Sequence, residues 1–135
     1  MKATTPHRHV VLLVDDDTDA LESTAVVIEL HGADAITADS AAMALARLRA
    51  GLRCCLVVLD WKMPGMSGEE FYRACAADPR LAAIPLLVLT GDPRAVYDAR
   101  ALGIRHAALK PIDPSQLVEI IHERCSNPHA PLRVV

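Results

Sequence analysis

Four short apolar runs, each followed by a chemically reactive side chain, constrain the fold of this chain more than any other feature. The runs and the residues that follow them are 10–14 with Asp15, 56–59 with Asp60, 86–89 with Thr90, and 107–109 with Lys110. Continuously apolar runs of this length, separated by helix-like stretches, indicate parallel strands buried on both faces of a sheet. Ligands bind such sheets beyond the carboxyl ends of the strands. We therefore expect these four side chains to meet at one edge of the sheet.

Length and charge set the broad class. The chain has 135 residues, enough for one domain with a substantial core. We place that domain at residues 9–126, between an N-terminal tail (1–8) and a C-terminal tail (127–135). The net charge of −3 gives no electrostatic argument for binding nucleic acid or an anionic membrane. No apolar stretch is long enough to span a bilayer, and the first residues lack the core of a signal peptide, so a cytoplasmic location is expected.

Helix start signals alternate with the strands. They are Asp17 or Thr18, Ser40, Ser67 or Gly68, Asp92-Pro93, and Asp113-Pro114. A short second strand is predicted at 35–37. The second and fifth strands are the least apolar and suit the edges, as in the order 2-1-3-4-5. The predicted fold is therefore α/β, an open, doubly wound, five-stranded parallel sheet with helices on both faces.

The predicted order places strands 1 and 3 side by side, so that Asp15, Asp16 and Asp60 face one crevice. Clustered carboxylates repel one another and either raise a pKa or hold a cation. Oxygen ligands with room for water favour Mg²⁺. A carboxylate beside such an ion can attack a phosphoryl group, and Lys110 and Thr90 can pair with the remaining phosphoryl oxygens.

The same residues carry a family resemblance. The motifs are Asp15-Asp16, Leu59-Asp60 followed by Met-Pro-Gly-Met-Ser-Gly at 63–68, Leu89-Thr90-Gly91, and Lys110-Pro111. In this order and at these strand ends they resemble a two-component response-regulator receiver domain, CheY-like and stand-alone, from about Val10 to Cys125. The resemblance implies the flavodoxin-like (βα)₅ fold, whose strand order is 2-1-3-4-5.

The resemblance also implies a function and a ligand set. It makes Asp60 the phosphoacceptor, with Thr90 and Lys110 as the catalytic partners. Mg²⁺ would be bound by Asp16 and Asp60 directly, by Asp15 through water, and by the main-chain carbonyl of Lys62. The phosphate donor would be a histidine kinase or a histidine phosphotransfer protein.

The resemblance extends to the backbone and to the partners. It implies a cis Lys110–Pro111 peptide bond. A separate protein is expected to be the downstream target, because no output domain follows the last helix, and dimerisation on phosphorylation stays open. Beyond its own Asp60, no substrate is turned over.

Two positions depart from the usual family pattern. The family commonly carries an aromatic residue three positions before the lysine, where this chain has Ala107, preceded by His106. One hypothesis is that His106 partly replaces the missing ring. Lys62 and Asp92 flank the acceptor with opposite charges, and we predict that they form a partial lid that slows hydrolysis of the acyl phosphate.

Parts of the sequence are also compatible with two other functions. A haloacid-dehalogenase-type phosphatase would use Asp15 and Asp17, which have the required spacing, but Asp19 stands where its threonine is expected. A degenerate receiver that only binds proteins is disfavoured by the intact Asp60, Thr90 and Lys110. The proposed binding face includes Arg94, Tyr97, Arg100 and Arg105, which suit an acidic partner or a solvated surface about equally well.

The cysteines and several histidines carry weaker signals. Cys54, Cys55, Cys75 and Cys125 show neither paired metal-ligand spacing nor the density of a disulfide scaffold, so they are interpreted as small buried apolar residues. His7 and His9 could bind adventitious metal, but a solvated tail is the preferred interpretation, and His122 is assigned to a helix face.

Overall fold

A computed structural model describes residues 9–125, so the predicted tails at 1–8 and 127–135 lie outside the described residues. Five parallel strands form one sheet in the order β2-β1-β3-β4-β5, which confirms the predicted α/β topology. The elements in chain order are β1 (Val10–Val14), α1 (Thr18–Leu30), β2 (Asp34–Ala38), α2 (Ala41–Arg49), β3 (Leu56–Leu59), α3 (Gly68–Ala77), β4 (Leu86–Thr90), α4 (Pro93–Ala101), β5 (His106–Leu109) and α5 (Pro114–Cys125).

Two apolar clusters bury the two faces of the sheet. Because successive strand residues point to opposite faces, Leu13 packs with α1 and α5, whereas Leu12 packs with α2, α3 and α4. Phe71 of α3 and Leu117 of α5 are among the fully buried side chains of the two clusters. The central strands are thus held from both sides, which fixes the positions of the residues at their carboxyl ends.

The helix starts follow the predicted capping residues and settle the two open choices. Asp17 caps α1 by accepting hydrogen bonds from the N–H groups of Asp19 and Ala20. Ser67 caps α3 in a capping box with Glu70. Among the described residues, the longest helix is α1, with 13 residues. Within residues 9–125 no helix is long and apolar enough to cross a membrane.

Both edge strands are longer than predicted. The predicted second strand covers 35–37, but β2 runs from Asp34 to Ala38 and pairs with all of β1. β5 begins at His106, one residue earlier than the apolar run, because His106 pairs with Leu87 of β4. Both edge strands are extended by backbone pairing with the neighbouring strand. This pairing was not predicted because it does not depend on the hydropathy of the added residues.

The interpretation of all four cysteines as plain apolar residues is wrong for two of them. Cys55, just before β3, and Cys125, at the end of α5, form a disulfide between residues 70 positions apart. Cys54 and Cys75 are free thiols. Burial raises the pKa of Cys54 to about 12 and that of Cys75 to about 11, so both stay protonated at neutral pH. The disulfide escaped prediction because its partners have no local pattern in common.

His9 also differs from its predicted place in a solvated tail. Its carbonyl oxygen accepts a hydrogen bond of 2.8 Å from the N–H of Asp34. Its half-buried ring meets the ring of His122 edge-on, with 6.2 Å between centroids. The strand ladder therefore extends one residue beyond β1 and orders His9.

Gly68 allows α3 to pack against the loop that follows β3. A Cβ atom at this position would lie 2.7 Å from the Trp61 ring and 2.8 Å from the Trp61 Cα. Because the second contact is to backbone, Gly68→Ala is expected to lower the free energy of unfolding by about 1–3 kcal/mol. Gly91→Ala is the control: a Cβ at Gly91 has nothing within 4 Å, and a change within about 0.5 kcal/mol is expected. Equal stabilities of the two variants in urea unfolding would contradict this packing argument.

Candidate functional site

Three carboxylates meet at the carboxyl edge of the sheet, as predicted. Asp15 follows β1 and Asp60 follows β3, and the last residues of these strands, Val14 and Leu59, are paired. Carboxylate oxygens of Asp15, Asp16 and Asp60 all lie within 4.8 Å of one another. Asp15 is buried, Asp60 half-buried and Asp16 exposed, so the cluster opens to solvent on one side.

Lys110 reaches this cluster from the edge strand β5. Its Nζ donates hydrogen bonds to Asp15 at 2.6 Å and to Asp60 at 3.3 Å. Its backbone N–H donates to the carbonyl of Thr90 at 2.8 Å, which holds the end of β5 against β4. The Lys110–Pro111 bond is cis, as the resemblance implies. Residues 95 positions apart in sequence thus form one ion pair, Lys110 with Asp15.

The site carries more negative than positive charge. Burial raises the pKa of Asp60; nearby Lys110 partly offsets the rise, and Asp15 adds to it. Burial by itself would lower the pKa of Lys110, but the hydrogen bonds and charges of Asp15 and Asp60 outweigh it and raise that pKa, so Lys110 stays an ammonium. One ammonium faces three carboxylates. This oxygen-rich, partly open donor set fits a divalent cation such as Mg²⁺.

The loop after β3 is tied to the acceptor and to the next strand. The N–H of Lys62 donates to Asp60 Oδ1 at 3.3 Å. The Lys62 ammonium forms an ion pair with the Asp92 carboxylate, as the opposite charges predicted. Hydrogen bonds from Lys62 and from the N–H of Arg94 lower the pKa of Asp92, which therefore stays ionised. Trp61, between Asp60 and Lys62, is buried with 6% of its surface exposed.

Thr90 connects this edge to the start of α4. It is the last residue of β4 and only 1% exposed. Its Oγ1 accepts a hydrogen bond of 3.2 Å from the N–H of Asp92, and the Asp92 side chain in turn caps α4. The sequence predicted the cap and the ion pair of Asp92 separately. The structure shows that one side chain makes both contacts.

The residues at the missing aromatic position lie on different faces of β5. Ala107 is buried in the cluster that contains α4, whereas its neighbour His106 points to the other face and lies 3.3 Å from Nε of the buried Arg124. Burial and the nearby Arg124 lower the pKa of His106. A ring at position 106 therefore does not occupy the space of a ring at position 107, and the geometry disfavours the hypothesis that His106 replaces it.

Arg100 makes a backbone contact that the sequence did not predict. Its Nη2 donates a hydrogen bond of 2.9 Å to the carbonyl of Ala107, although the residue is exposed. Arg94 and Tyr97 are exposed on α4, as the predicted binding face requires. The acceptor is a backbone carbonyl, which every residue has, so the sequence gives no indication of this contact.

The contacts of Asp17 weaken the phosphatase alternative. Its Oδ1 accepts the N–H groups that begin α1, at 3.0 and 3.2 Å. The second acid of a haloacid-dehalogenase-type pair would have to face the reacting phosphate. Asp17 serves as a helix cap instead.

The fold and the motif define a receiver domain. The sequence profile of the response regulator receiver domain matches residues 11–122, and the chain belongs to this family. A crystal structure of a response regulator receiver protein from Pseudomonas putida has a TM-score of 0.79 and 31% identity, and the match covers 88% of this chain and 99% of that one.

Two curated relatives come from Pseudomonas aeruginosa. The phosphate regulon transcriptional regulatory protein PhoB is 31% identical over 110 residues, which are 80% of this chain and 48% of that protein. The chemotaxis protein CheY is 34% identical over 88 residues, which are 64% of this chain and 70% of that protein. The chain spans about half the length of most of the curated relatives it matches.

Proposed function

We propose that this receiver domain is a Mg²⁺-dependent phosphoacceptor switch of a two-component phosphorelay. Asp60 takes a phosphoryl group from a phosphohistidine on a histidine kinase or histidine phosphotransfer protein. The observation that carries the proposal is the convergence of Asp15, Asp16, Asp60 and Lys110 at one sheet edge. Turnover of an external substrate is no part of this function, and a cytoplasmic location stays a prediction.

The transfer forms one bond and breaks another. A carboxylate oxygen of Asp60 attacks phosphorus, the P–O bond forms, and the P–N bond to the donor imidazole breaks. Held by Asp16, Asp60 and the carbonyl of Lys62, with Asp15 acting through water, Mg²⁺ would neutralise charge on the phosphoryl oxygens.

Lys110 and Thr90 would stabilise the charge on the other two phosphoryl oxygens. The Lys110 ammonium already donates to Asp60 and is in place to pair with a second phosphoryl oxygen. The Thr90 hydroxyl, at the end of the adjacent strand, would donate to a third.

The state of Asp60 is then read by a partner through α4 and β5. The Thr90 hydroxyl oxygen accepts the N–H of Asp92, and Asp92 caps α4. When Thr90 turns to the phosphoryl group, this contact changes, and with it the start of α4, which carries the exposed Arg94 and Tyr97. The segment from Gly91 to Pro93 is therefore the proposed two-state element, and an acidic surface is the proposed partner.

The Lys62–Asp92 ion pair is expected to prolong the life of the acyl phosphate. It connects the loops on two sides of Asp60 and restricts the approach of water. Lys62→Ala is expected to shorten the half-life of phospho-Asp60 about twofold or more, as measured by intact mass over time. Asp92→Asn removes the charge but retains an Asn helix cap, and it should shorten the half-life similarly. Half-lives equal to that of the wild type in both variants would rule out the lid.

The test of the function is phosphorylation by acetyl phosphate with Mg²⁺, followed by site mapping. The expected result is one phosphoryl group on Asp60, lost in Asp60→Asn and absent when EDTA removes the metal. Steady release of phosphate through Asp15 would indicate a phosphatase instead. Absence of any reaction with acetyl phosphate or with a phosphorylated histidine phosphotransfer protein would indicate a degenerate receiver.

A further inference from the structure

A second cluster of potential metal ligands lies at the opposite edge of the sheet. His9 immediately precedes β1, Cys55 immediately precedes β3, and Cys125 is the last residue of α5. One ligand atom from each of these residues lies within 4.8 Å of the others. His122, three residues before Cys125, places its ring against that of His9. Two sulfurs and the imidazole of His9 therefore meet where the amino ends of two central strands approach the end of α5.

The backbone holds these ligands in place. The carbonyl of His9 accepts the N–H of Asp34 at 2.8 Å, and the N–H of Cys55 donates to the carbonyl of Val10 at 2.9 Å. Both positions thus continue the strand ladders. His122 and Cys125 are three residues apart on α5, a spacing that puts both on one face of a helix. Cys125 lies in a helix, and His9 and Cys55 directly adjoin strands through these hydrogen bonds, so the ligands are held more rigidly than in a free loop.

The chemistry of the cluster differs from that of the carboxylate site. Thiolate sulfur and imidazole nitrogen are the ligands of tetrahedral Zn²⁺ sites, whereas Mg²⁺ takes oxygen ligands. We propose that His9, Cys55 and Cys125 bind a thiophilic divalent cation of the Zn²⁺ class when the two cysteines are reduced. The Cys55–Cys125 disulfide is the metal-free, oxidised form of the same site.

The two forms interconvert by a balanced reaction. A dithiol reductant gives two electrons and two protons to the disulfide, the S–S bond breaks, and the reductant becomes a disulfide. Two thiols result, and metal binding then releases their two protons as the two sulfur–metal bonds form. The Cys55 Sγ lies 3.3 Å from the carbonyl oxygen of Val10, within reach for a thiol donor in the reduced form.

The other two cysteines are built-in controls. Cys54 is adjacent to Cys55 in sequence, and Cys75 lies in α3 on the other face of the sheet. Both pack in the apolar cluster on the other face of the sheet, and neither sulfur is among the ligand atoms that lie within 4.8 Å of one another. Cys54 and Cys75 are thus expected to play no part in the site.

The experiment is a Co²⁺ titration of the untagged full chain after reduction by a dithiol and anaerobic removal of the reductant. We expect one Co²⁺ per chain, with the near-ultraviolet absorption of thiolate-to-cobalt charge transfer, and displacement by Zn²⁺. Cys55→Ser and Cys125→Ser should lose this absorption, and His9→Ala should bind at least about tenfold more weakly. Cys54→Ser, Cys75→Ser and His7→Ala should bind like the wild type.

Absence of the charge-transfer band in the reduced wild type would overturn the proposal, as would unchanged binding by Cys55→Ser. A second measurement uses only the wild type, so it tests the proposal even if a variant fails to fold. In this measurement the reduced protein is alkylated and the modified cysteines are identified by peptide mass mapping. Zn²⁺ should slow alkylation of Cys55 and Cys125 at least about tenfold. Equal alkylation rates with and without Zn²⁺ would also overturn it. Neither readout depends on phosphorylation of Asp60, so the outcome is independent of the proposed function.

Discussion

Lys110→Ala is expected to slow phosphorylation of Asp60 by acetyl phosphate about 10²–10³-fold. Lys110 places the one ammonium that contacts both Asp15 and Asp60, and it comes from β5, across β4 from the acceptor strand. Removal of one hydrogen-bond donor that stabilises negative charge in the transition state typically lowers the rate about 10²–10³-fold. The rate of mass increase under saturating Mg²⁺ measures the effect.

Lys110→Arg is the matched control. It keeps the positive charge but replaces a compact ammonium with a planar guanidinium, so an intermediate rate is expected. A rate for Lys110→Ala within twofold of the wild type would mean that the ammonium does not assist transfer. A Lys110→Arg rate as low as that of Lys110→Ala would show that geometry, and not charge alone, limits the reaction.

The same variant has a pH signature. The folded-state pKa of Asp60 is already raised above its ordinary value, and loss of Lys110 removes the charge that offsets this rise. The ionised carboxylate then destabilises the fold at pH values above the folded pKa, and this cost disappears below the ordinary aspartate pKa. Thermal unfolding should therefore show a deficit for Lys110→Ala at neutral pH that shrinks as the pH falls. A deficit that grows in acid would contradict the assignment.

Asp16→Ala is expected to weaken Mg²⁺ binding by more than about tenfold and to abolish phosphorylation at physiological Mg²⁺. Asp16 is the exposed member of the carboxylate cluster, with its oxygen free of the Lys110 contacts that occupy Asp15 and Asp60. Loss of even a supporting residue of a metal site typically costs tenfold or more in affinity. The emission of Trp61, the only tryptophan, is expected to change on Mg²⁺ binding and is the measurement in a titration.

Asp17→Ala is the control for this experiment. Asp17 is also an aspartate and directly follows Asp16, but its carboxylate caps α1. The expected cost is about 1 kcal/mol of stability, with the Mg²⁺ response retained. A normal Mg²⁺ titration in Asp16→Ala, or its loss in Asp17→Ala at a temperature where the protein is folded, would contradict the proposed metal ligands.

The sheet and the carboxylate cluster were predictable because one physical rule places them. Strands buried on both faces have continuous apolar runs, and parallel strands end at one edge, so Asp15, Asp60 and Lys110 converge whatever their separation in sequence. Helix caps such as Asp17 and Ser67 were predictable because they act within three residues. Local and strand-end signals therefore predicted the elements and the convergence of these side chains, whereas the strand order and the roles of the site residues also rest on the family resemblance.

The amino-terminal edge was not predictable by the same rule. His9 and Cys55 precede strands, where no ligand-binding expectation applies, and each alone is typical of a tail or a core. Cys125 joins them only because α5 packs back across the sheet. The orientation of His106 was also not predictable. It depends on the inclusion of His106 in β5, which results from pairing with Leu87 and has no signal in the hydropathy of the sequence.

The double role of Asp92 shortens the path between the acceptor site and the binding face. Its N–H contacts Thr90, its carboxylate begins α4, and only one residue separates it from Thr90. If the proposed switch acts through so short a segment, it does not require an aromatic side chain at position 107. Ala107 is buried in the cluster that contains α4, so we expect the proposed change to be confined to the start of α4 and to leave the packing beneath it unaltered.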